Sequence, residues 1–268
     1  MKEEHFILPT MEVGKRWFRT DEVFDNACVW VPPSPITSPL LMNGMEWCSH
    51  SKPSHCSANF GKQLEIIQST NASSSDILAA AKPSSPLDWL SLIILLDQMP
   101  RNSFRGSKAG IAFNVFDPRA LDIALQAIAA GVTETPQIRY RLAYRFWFYL
   151  PLQHSEDPKI QDRSMREHEQ MFRDLQTLVD ETEPGRETAG AHGDEEALEC
   201  SRVLRANRDG VDGWAKMLMG VVKQHKDIVD RFGRYPHRNQ ALGRDSTEEE
   251  TQFLAEGGDT FGSSTTDK

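Results

Sequence analysis

The sequence predicts an all-α fold, and three observations indicate it. Proline repeatedly follows a hydroxyl or carboxyl residue, which is a helix-start signal; apolar residues recur at helical spacing; and strand patterns are almost absent. Segments of about 12 to 20 residues are joined by short loops that contain proline or glycine, as in packed helix pairs. We therefore expect antiparallel helix pairs lying side by side.

The first clear helix begins at Ser85-Pro86. A serine at the N-cap can accept one of the free N–H groups of the first turn, and proline follows at the first helical position, where no N–H is needed. Leu90 and Ile94 lie within an apolar run that predicts burial on most sides, and Pro100 is expected to stop the helix.

Two further helices are predicted from the same signal. One starts at Asp117-Pro118, with Gly131 as a C-terminal cap. The next starts at Thr135-Pro136 and continues to Leu150, ending before Pro151.

Three more helices complete the predicted set. They cover Ser164–Val179, then Asp212–Phe232 closed by Gly233, and finally a segment that Ser246–Glu249 opens as a capping box and Gly257 ends.

The chain divides into a helical domain and segments that break the pattern. Residues 1–28 form the N-terminal part of the domain, 58–261 the main helical domain, and 262–268 a polar tail that we expect to be mobile. Residues 182–199 are rich in acids and glycine, which predicts a solvated loop or a short irregular helix.

Residues 29–57 are the most unusual part of the sequence. They contain five prolines and have no helical period. A disordered insertion has this composition, and so would a translated intron. Removal of that intron would join Cys28 directly to Ala58. Both hypotheses stay open on the sequence.

Composition excludes several classes of function. A net charge of −9 argues against general nucleic-acid binding, which needs a basic face, and against docking on an anionic membrane. No apolar run reaches the length of a membrane span. Four cysteines without CxxC pairing are consistent with a reducing, cytoplasmic setting. No cofactor motif is present, and the sequence indicates no particular oligomeric state.

A zinc site is not predicted. Cys48, His50, His55 and Cys56 lie close together, but this spacing cannot easily place four ligands tetrahedrally around one ion. We therefore predict no metal site.

The first strong polar cluster follows the apolar run of the Ser85 helix. It consists of Asp97, Gln98, Arg101, Asn102 and Arg105. Guanidinium groups and carboxamides at a helix end suit a planar anion, with Asp97 available to anchor an arginine. A buried network that locks this corner is the structural alternative.

Polar groups also lie on and after the predicted 135–150 helix. Arg141 and Arg145 are four residues apart and repel mildly, so acidic side chains or a bound anion should face them. His154 and Glu156 follow, two residues apart, and could perform acid–base chemistry. His168 lies beside an apolar face, as does His225, and both are expected to be packed histidines.

The second strong cluster occupies the turn after Gly233. It contains His237, Arg238, Asn239 and Arg244. Their donors are expected to face whatever packs over the helix ends.

These clusters, in this order, resemble the family known as domain of unknown function 924. The matching motifs are Lys15–Arg19 with Phe24-Asp25, Leu95–Gly106, Phe148–Asp157, and Arg231–Asn239 continuing through Leu242–Ser246. The resemblance implies a tetratricopeptide-like helical array and no known activity. Asn114–Pro118 is similar to the fungal branch, and residues 29–57 have no counterpart in the family pattern.

Two functions from different classes are compatible with these residues. In the first, the clusters form a site for a small anionic metabolite, as in an enzyme of small-molecule metabolism. Its anion-binding residues are Arg101, Arg105, Arg238 and Arg244, oriented by Asn102 and Asn239, with His154 or His237 as proton relay and Glu156 as orienter. In the second, the same arginines clamp the carboxylate of a bound peptide, and no residue transfers a proton.

The first hypothesis needs distant parts of the chain to meet. Arg101 and Arg238 must line one common pocket, because arginines that only stabilise separate parts of the fold would form no common site.

Overall fold

The computed structural model describes residues 53–181 and 195–261. Within these ranges every regular element is helical and no strand is present, so the all-α prediction is confirmed. The predicted segments 1–28 and 262–268, and most of 29–57, lie outside the described residues, as do the side chains of the four candidate zinc ligands.

Helices of eight or more residues form the body of the described chain. They are α1 (Pro53–Thr70), α2 (Ser74–Ala81), α3 (Pro86–Ser103), α4 (Asp117–Ala129), α5 (Pro158–Glu181), α6 (Glu195–Ala206), α7 (Arg208–Phe232) and α8 (Glu248–Ala255). Shorter helical turns connect them. α1 therefore begins inside the predicted insertion, and α6 includes the end of the predicted acidic loop.

The predicted start of α3 is confirmed in detail. The Ser85 hydroxyl accepts a hydrogen bond from the Asp88 N–H, and the Asp88 carboxylate accepts one from the Ser85 N–H. The predicted stop at Pro100 is wrong, because α3 continues to Ser103. Pro100 is buried, and its carbonyl still accepts a hydrogen bond from the Phe104 N–H. The packing of this residue therefore offsets the cost of the backbone hydrogen bond that proline cannot donate.

The continuous helix predicted from residue 135 to 150 is also wrong. The chain forms separate turns at Pro136–Arg139, Leu142–Arg145, Phe146–Phe148 and Leu150–Gln153. Arg141 is extended, with φ −102° and ψ 94°, and this residue breaks the helix. The last turn includes Pro151, which the prediction placed beyond the end.

Acidic side chains face the arginines of this broken segment. Arg145 is fully buried and lies 2.7 Å from both Glu134 and Asp174. Arg139 shares Asp174 at 3.0 Å, and Arg141 pairs with Glu196. The prediction that acidic groups or a bound anion face these arginines is confirmed, and the groups are acidic side chains of the protein.

The later helices agree with the predictions apart from their first residues. α5 starts at Pro158 rather than Ser164, because the Asp157 carboxylate caps the Lys159 N–H at 2.8 Å. α7 starts at Arg208 and ends at Phe232, and Gly233 follows as its cap with a φ of 69°, the left-handed conformation expected of a glycine cap. α8 has Thr247, not Ser246, as its N-cap.

α5 and α7 form an antiparallel pair. Asp162 near the start of α5 contacts Lys226 near the end of α7 at 2.8 Å, whereas Asp180 and Arg208 meet at the opposite ends at 3.4 Å. The main core extends from α1 to α7 and includes Trp214. A smaller apolar cluster of Ile228, Val229 and Tyr235, with Phe232, Phe253 and Phe261 packed against it, lies at the end of α7.

Gly110 sets the distance between the segment after α3 and the turn after α7. A Cβ at this position would lie 2.3 Å from the backbone oxygen of Ala241. Both segments carry polar residues predicted to form the site, so only a residue without a side chain allows this approach.

We expect Gly110→Ala to lower the free energy of unfolding by about 1–3 kcal/mol, because backbone must move to relieve the overlap. Gly220→Ala is the matched control. Gly220 lies in α7 with nothing within 4 Å of an added Cβ, so alanine should stabilise by about 0.5–1 kcal/mol. Chemical denaturation measures both, and equal effects of the two substitutions would contradict the predicted close approach.

Candidate functional site

Four chain segments meet at one place in the described structure. They are the end of α3 with Asp97 and Arg101, the start of α4 with Asp117, the turn after Gln153 with His154, and the turn after α7 with Arg238. The two strong sequence clusters therefore do come together.

Asp117 joins the two clusters. One carboxylate oxygen lies 2.6 Å from Arg101 Nη2, and the other lies 3.3 Å from Arg238 Nη1. Arg101 also lies 3.5 Å from Asp97. The sequence assigned Asp117 to a helix start and missed this role; α4 does begin there, but no side-chain cap bond forms.

Phe113 packs beneath both guanidinium groups. Arg238 Cζ lies 4.6 Å from its ring centroid and Arg101 Cζ lies 5.8 Å away, within range of cation–π attraction. Phe113 belongs to a wide helical turn at Ala112–Phe116 of the π type, a rare geometry that is frequent at functional sites. No signal in the sequence distinguishes this turn from an ordinary helix.

Asp97 and His154 form a close pair. The Asp97 Oδ1 atom lies 2.7 Å from His154 Nδ1, and Gln98 donates a hydrogen bond to the other Asp97 oxygen. A carboxylate on Nδ1 favours the tautomer with its proton there, which leaves the Nε2 lone pair free to accept. No group among the described residues forms a hydrogen bond with Nε2.

The charge states of this pair follow from its surroundings. Burial alone would raise the pKa of Asp97, but His154 and Arg101 lower it to about 2. Burial and the positive charge of Arg101 lower the pKa of His154, and Asp97 opposes them only in part. At pH 7 the carboxylate is charged and the imidazole is neutral.

Glu156, predicted to orient a histidine, contacts Arg244 instead. Its carboxylate lies 2.6 Å from Arg244 Nη1 and 3.0 Å from Nη2, and it accepts the Tyr235 N–H at 2.9 Å. Burial would raise the pKa of Glu156, but the hydrogen bond from Arg244 lowers it. This pair fixes the turn after α7 against the turn before α5, and Asp97 is the carboxylate beside His154.

The predicted asparagines have partners within their own corners. Asn239 donates to the Ser246 hydroxyl at 3.1 Å and to Glu250 at 3.2 Å, which ties its turn to α8. Asn102 accepts from Arg105 at 3.3 Å. Neither asparagine contacts Arg101 or Arg238 through a side-chain hydrogen bond.

His237 lies beside the cluster and is buried. Burial and the positive charge of Arg238 lower its pKa to about 2. Its ring centroid is 5.6 Å from that of Tyr235. His225, which the sequence correctly predicted as packed, lies with its ring centroid 6.4 Å from that of His154.

Several buried polar atoms of the cluster have no hydrogen-bond partner among the described residues. They are the Nε atoms of Arg101, Arg238 and Arg244, His237 Nδ1, Asn239 Oδ1 and Asp117 Oδ2. Buried polar atoms are normally satisfied, so these atoms can form hydrogen bonds with a water or a ligand, although Asp117 Oδ2 already has its ion contact with Arg238.

The fold and this cluster define an all-α protein whose polar centre joins four distant segments, largely through partly buried arginine–carboxylate contacts. The model of the family described as bacterial protein of unknown function (DUF924) matches residues 3–258, and the chain belongs to this family. The family resemblance of the sequence motifs is thereby confirmed.

A solved structure is similar to this chain, that of the protein of unknown function ATU0120 from Agrobacterium tumefaciens. The two are 26% identical over 76% of this chain and 84% of that one, with a TM-score of 0.49. No curated protein matches the sequence. Among the helices described, none has the length and apolarity to cross a membrane.

We expect the protein to lose stability between pH 7.5 and 5.5. His168, His225 and His237 are buried and His154 is partly buried, and burial lowers the pKa of each, to about 4 for His168, about 3 for His225 and about 2 for His237. Below the usual histidine pKa of about 6.5, these imidazoles are protonated in the unfolded chain but stay neutral in the folded chain, so protonation favours unfolding. The free energy of unfolding should fall by up to about 1.4 kcal/mol per pH unit for each histidine.

Urea denaturation at several pH values measures this slope. His168→Gln should remove one histidine's share of it, whereas Arg202→Gln, at an exposed position, should leave the slope unchanged. Asp97 and Glu250, with pKa values of about 2, lose their stabilising charge only at much lower pH. A stability that is flat across this window would contradict the burial of neutral histidines.

Proposed function

We propose that this cluster binds the anionic group of a small molecule, a phosphate or a carboxylate, and that His154 accepts a proton from the bound molecule or from a water beside it. The observation that carries the proposal is the meeting of Arg101 and Arg238 next to the Asp97–His154 pair. Arg238 Nη1 donates to the His154 backbone oxygen at 3.0 Å, which ties this guanidinium to the turn that carries His154.

The Asp97–His154 pair has the arrangement of a general base. His154 is neutral at pH 7 and its Nε2 lone pair is free. When Nε2 accepts a proton, the adjacent Asp97 carboxylate stabilises the imidazolium that forms. A neutral imidazole beside fixed positive charges suits removal of a proton near an anionic group, because the arginines also stabilise negative charge that develops there.

Binding depends on donor direction rather than on net positive charge. The guanidiniums of Arg101 and Arg238 share the Asp117 carboxylate, so a large positive field is not expected. Their Nε–H groups remain as buried donors without partners, and an oxyanion could satisfy them.

The other predicted residues support this arrangement at a distance. We propose that the Glu156–Arg244 pair and Asn239 hold the turn that carries Arg238, and that Gln98 holds Asp97 through its hydrogen bond. We propose that Asn102, in the last turn of α3, and Arg105, two residues after α3, complete the anion-binding edge, and that the buried His237 is a second proton-transfer candidate. We also propose a tetratricopeptide-like arrangement of the helices, a cytoplasmic location, membership of the fungal branch and no cofactor.

The peptide-binding alternative uses the same arginines to clamp a carboxylate terminus. It gives no role to the neutral His154 with its free Nε2, whereas the metabolite proposal does. We therefore favour the small-molecule site.

Arg101→Gln and Arg238→Gln should each weaken binding of phosphate or acetate at least about tenfold, because each removes a charged donor from the anion. Thermal shift and calorimetry measure the binding of both anions to the full chain. Arg202→Gln is the matched control, since it removes an exposed arginine that pairs only with nearby Glu199.

His154→Gln tests the separate role of the imidazole. It should leave anion affinity within about twofold, because His154 is assigned to proton transfer rather than to binding. In the parent protein, NMR titration should show the pKa of His154 rising when the anion binds, since negative charge favours the imidazolium. Parent-like anion affinity in folded Arg101→Gln and Arg238→Gln proteins would refute the proposed site.

A further inference from the structure

Phe261 fills an aromatic slot beside the candidate site. Its ring stacks on His225, with centroids 3.6 Å apart and planes 17° apart. It meets Tyr235 edge-on at 5.9 Å and His237 edge-on at 5.9 Å. The slot formed by His225, Tyr235 and His237 is therefore shaped for one planar ring.

This slot is continuous with the Asp97–His154 pair and with Arg238. The His225 ring centroid lies 6.4 Å from that of His154. On the other side, Arg238 Cζ lies 4.5 Å from the Tyr235 ring centroid. Tyr235 thus touches both the ring in the slot and an arginine of the anion site.

The slot residues favour an uncharged planar ring. Burial lowers the pKa of both His225 and His237, so both imidazoles are neutral at pH 7 and can stack without burying a charge. The His225 Nδ1 proton is held by the Val221 carbonyl at 2.8 Å, which fixes the ring plane. The slot is therefore preorganised.

Phe261 packs outside the main core of the fold. It follows the end of α8, belongs to the smaller apolar cluster rather than to the main core, and is only partly buried. Its φ of 48° is left-handed, a conformation that costs energy for a residue with a bulky side chain. Gly257, with φ 84°, precedes it and gives the segment a turning point.

We propose that the slot of His225, Tyr235 and His237 is an aromatic subsite of the anion site, and that Phe261 occupies it when no ligand is bound. The inference rests on the proposed function and names its ligand class, an anion attached to a planar aromatic or heteroaromatic ring. The ring of the ligand takes the place of Phe261 on His225, and its anionic group lies toward Arg238 and Arg101.

Matched pairs of probes test the ring and the anion separately. Benzoate is compared with cyclohexanecarboxylate, and phenyl phosphate with cyclohexyl phosphate, so that charge is kept and only planarity changes. Acetate and inorganic phosphate report the anion alone. Calorimetry on the full chain measures all six.

We expect the planar probe of at least one pair to bind the parent about fivefold more tightly than its saturated partner, or better. Phe261→Ala should raise the affinity for the planar probe about tenfold if the phenylalanine fills the slot about nine-tenths of the time, and leave acetate and phosphate unchanged. Phe261→Leu should give a smaller gain. Phe232→Ala, in the same small cluster, should change neither, and melting curves check that each variant is folded.

Each other outcome overturns the inference. Equal binding of planar and saturated probes would remove the aromatic subsite while leaving the anion site intact. Weaker binding of planar probes to Phe261→Ala would show that Phe261 is a fixed wall and not a displaceable occupant. If none of the six probes binds the parent, the anion site fails and this inference fails with it.

Discussion

The carboxylate of Asp117, shared between Arg101 and Arg238, is the contact on which the site depends. It joins the end of α3 to the turn after α7, more than a hundred residues apart in sequence, and it does so at the first residue of α4. Removing two or three charges from water costs about as much as their mutual attraction returns, so such a contact adds little net stability. Its effect is on geometry, because only one arrangement of the three segments satisfies all of the charges.

The apolar surroundings make that geometry strict. Phe113 lies under both guanidiniums, and Gly110 allows the segment that carries it to approach Ala241 closely. A displaced backbone would leave Asp117 or an arginine buried without its partner. The free-energy cost of that unpaired charge is larger than the net stabilisation that the ion pair provides. The same restriction that selects the fold therefore also positions His154, whose backbone oxygen accepts from Arg238.

The sequence predicted the local parts of this structure and missed the long-range choices. The Ser85 cap and the Gly233 cap follow from residues adjacent in the chain, whereas the meeting of the two arginine clusters was a requirement of the hypothesis that no local pattern encodes. Whether Asp97 or Glu156 faces His154 depends on packing between segments 57 residues apart, and no local pattern encodes it. The helix expected from residue 135 to 150 failed for a similar reason: placing Arg145 between Glu134 and Asp174 outweighs the local preference for a continuous helix.

The neutrality of the histidines and the partner of each Nδ1 atom connect the proposed proton transfer with the proposed aromatic slot. Burial keeps His154, His225 and His237 neutral, and a neutral imidazole can accept a proton or stack on a ring, whereas a charged one does neither well in an apolar setting. Only His154 has a carboxylate on Nδ1, so only His154 is prepared to hold the proton it accepts. His225 bonds to the Val221 carbonyl, which carries no charge and cannot stabilise an imidazolium comparably. In the proposed site, the different partners of the two Nδ1 atoms therefore assign different roles to His154 and His225.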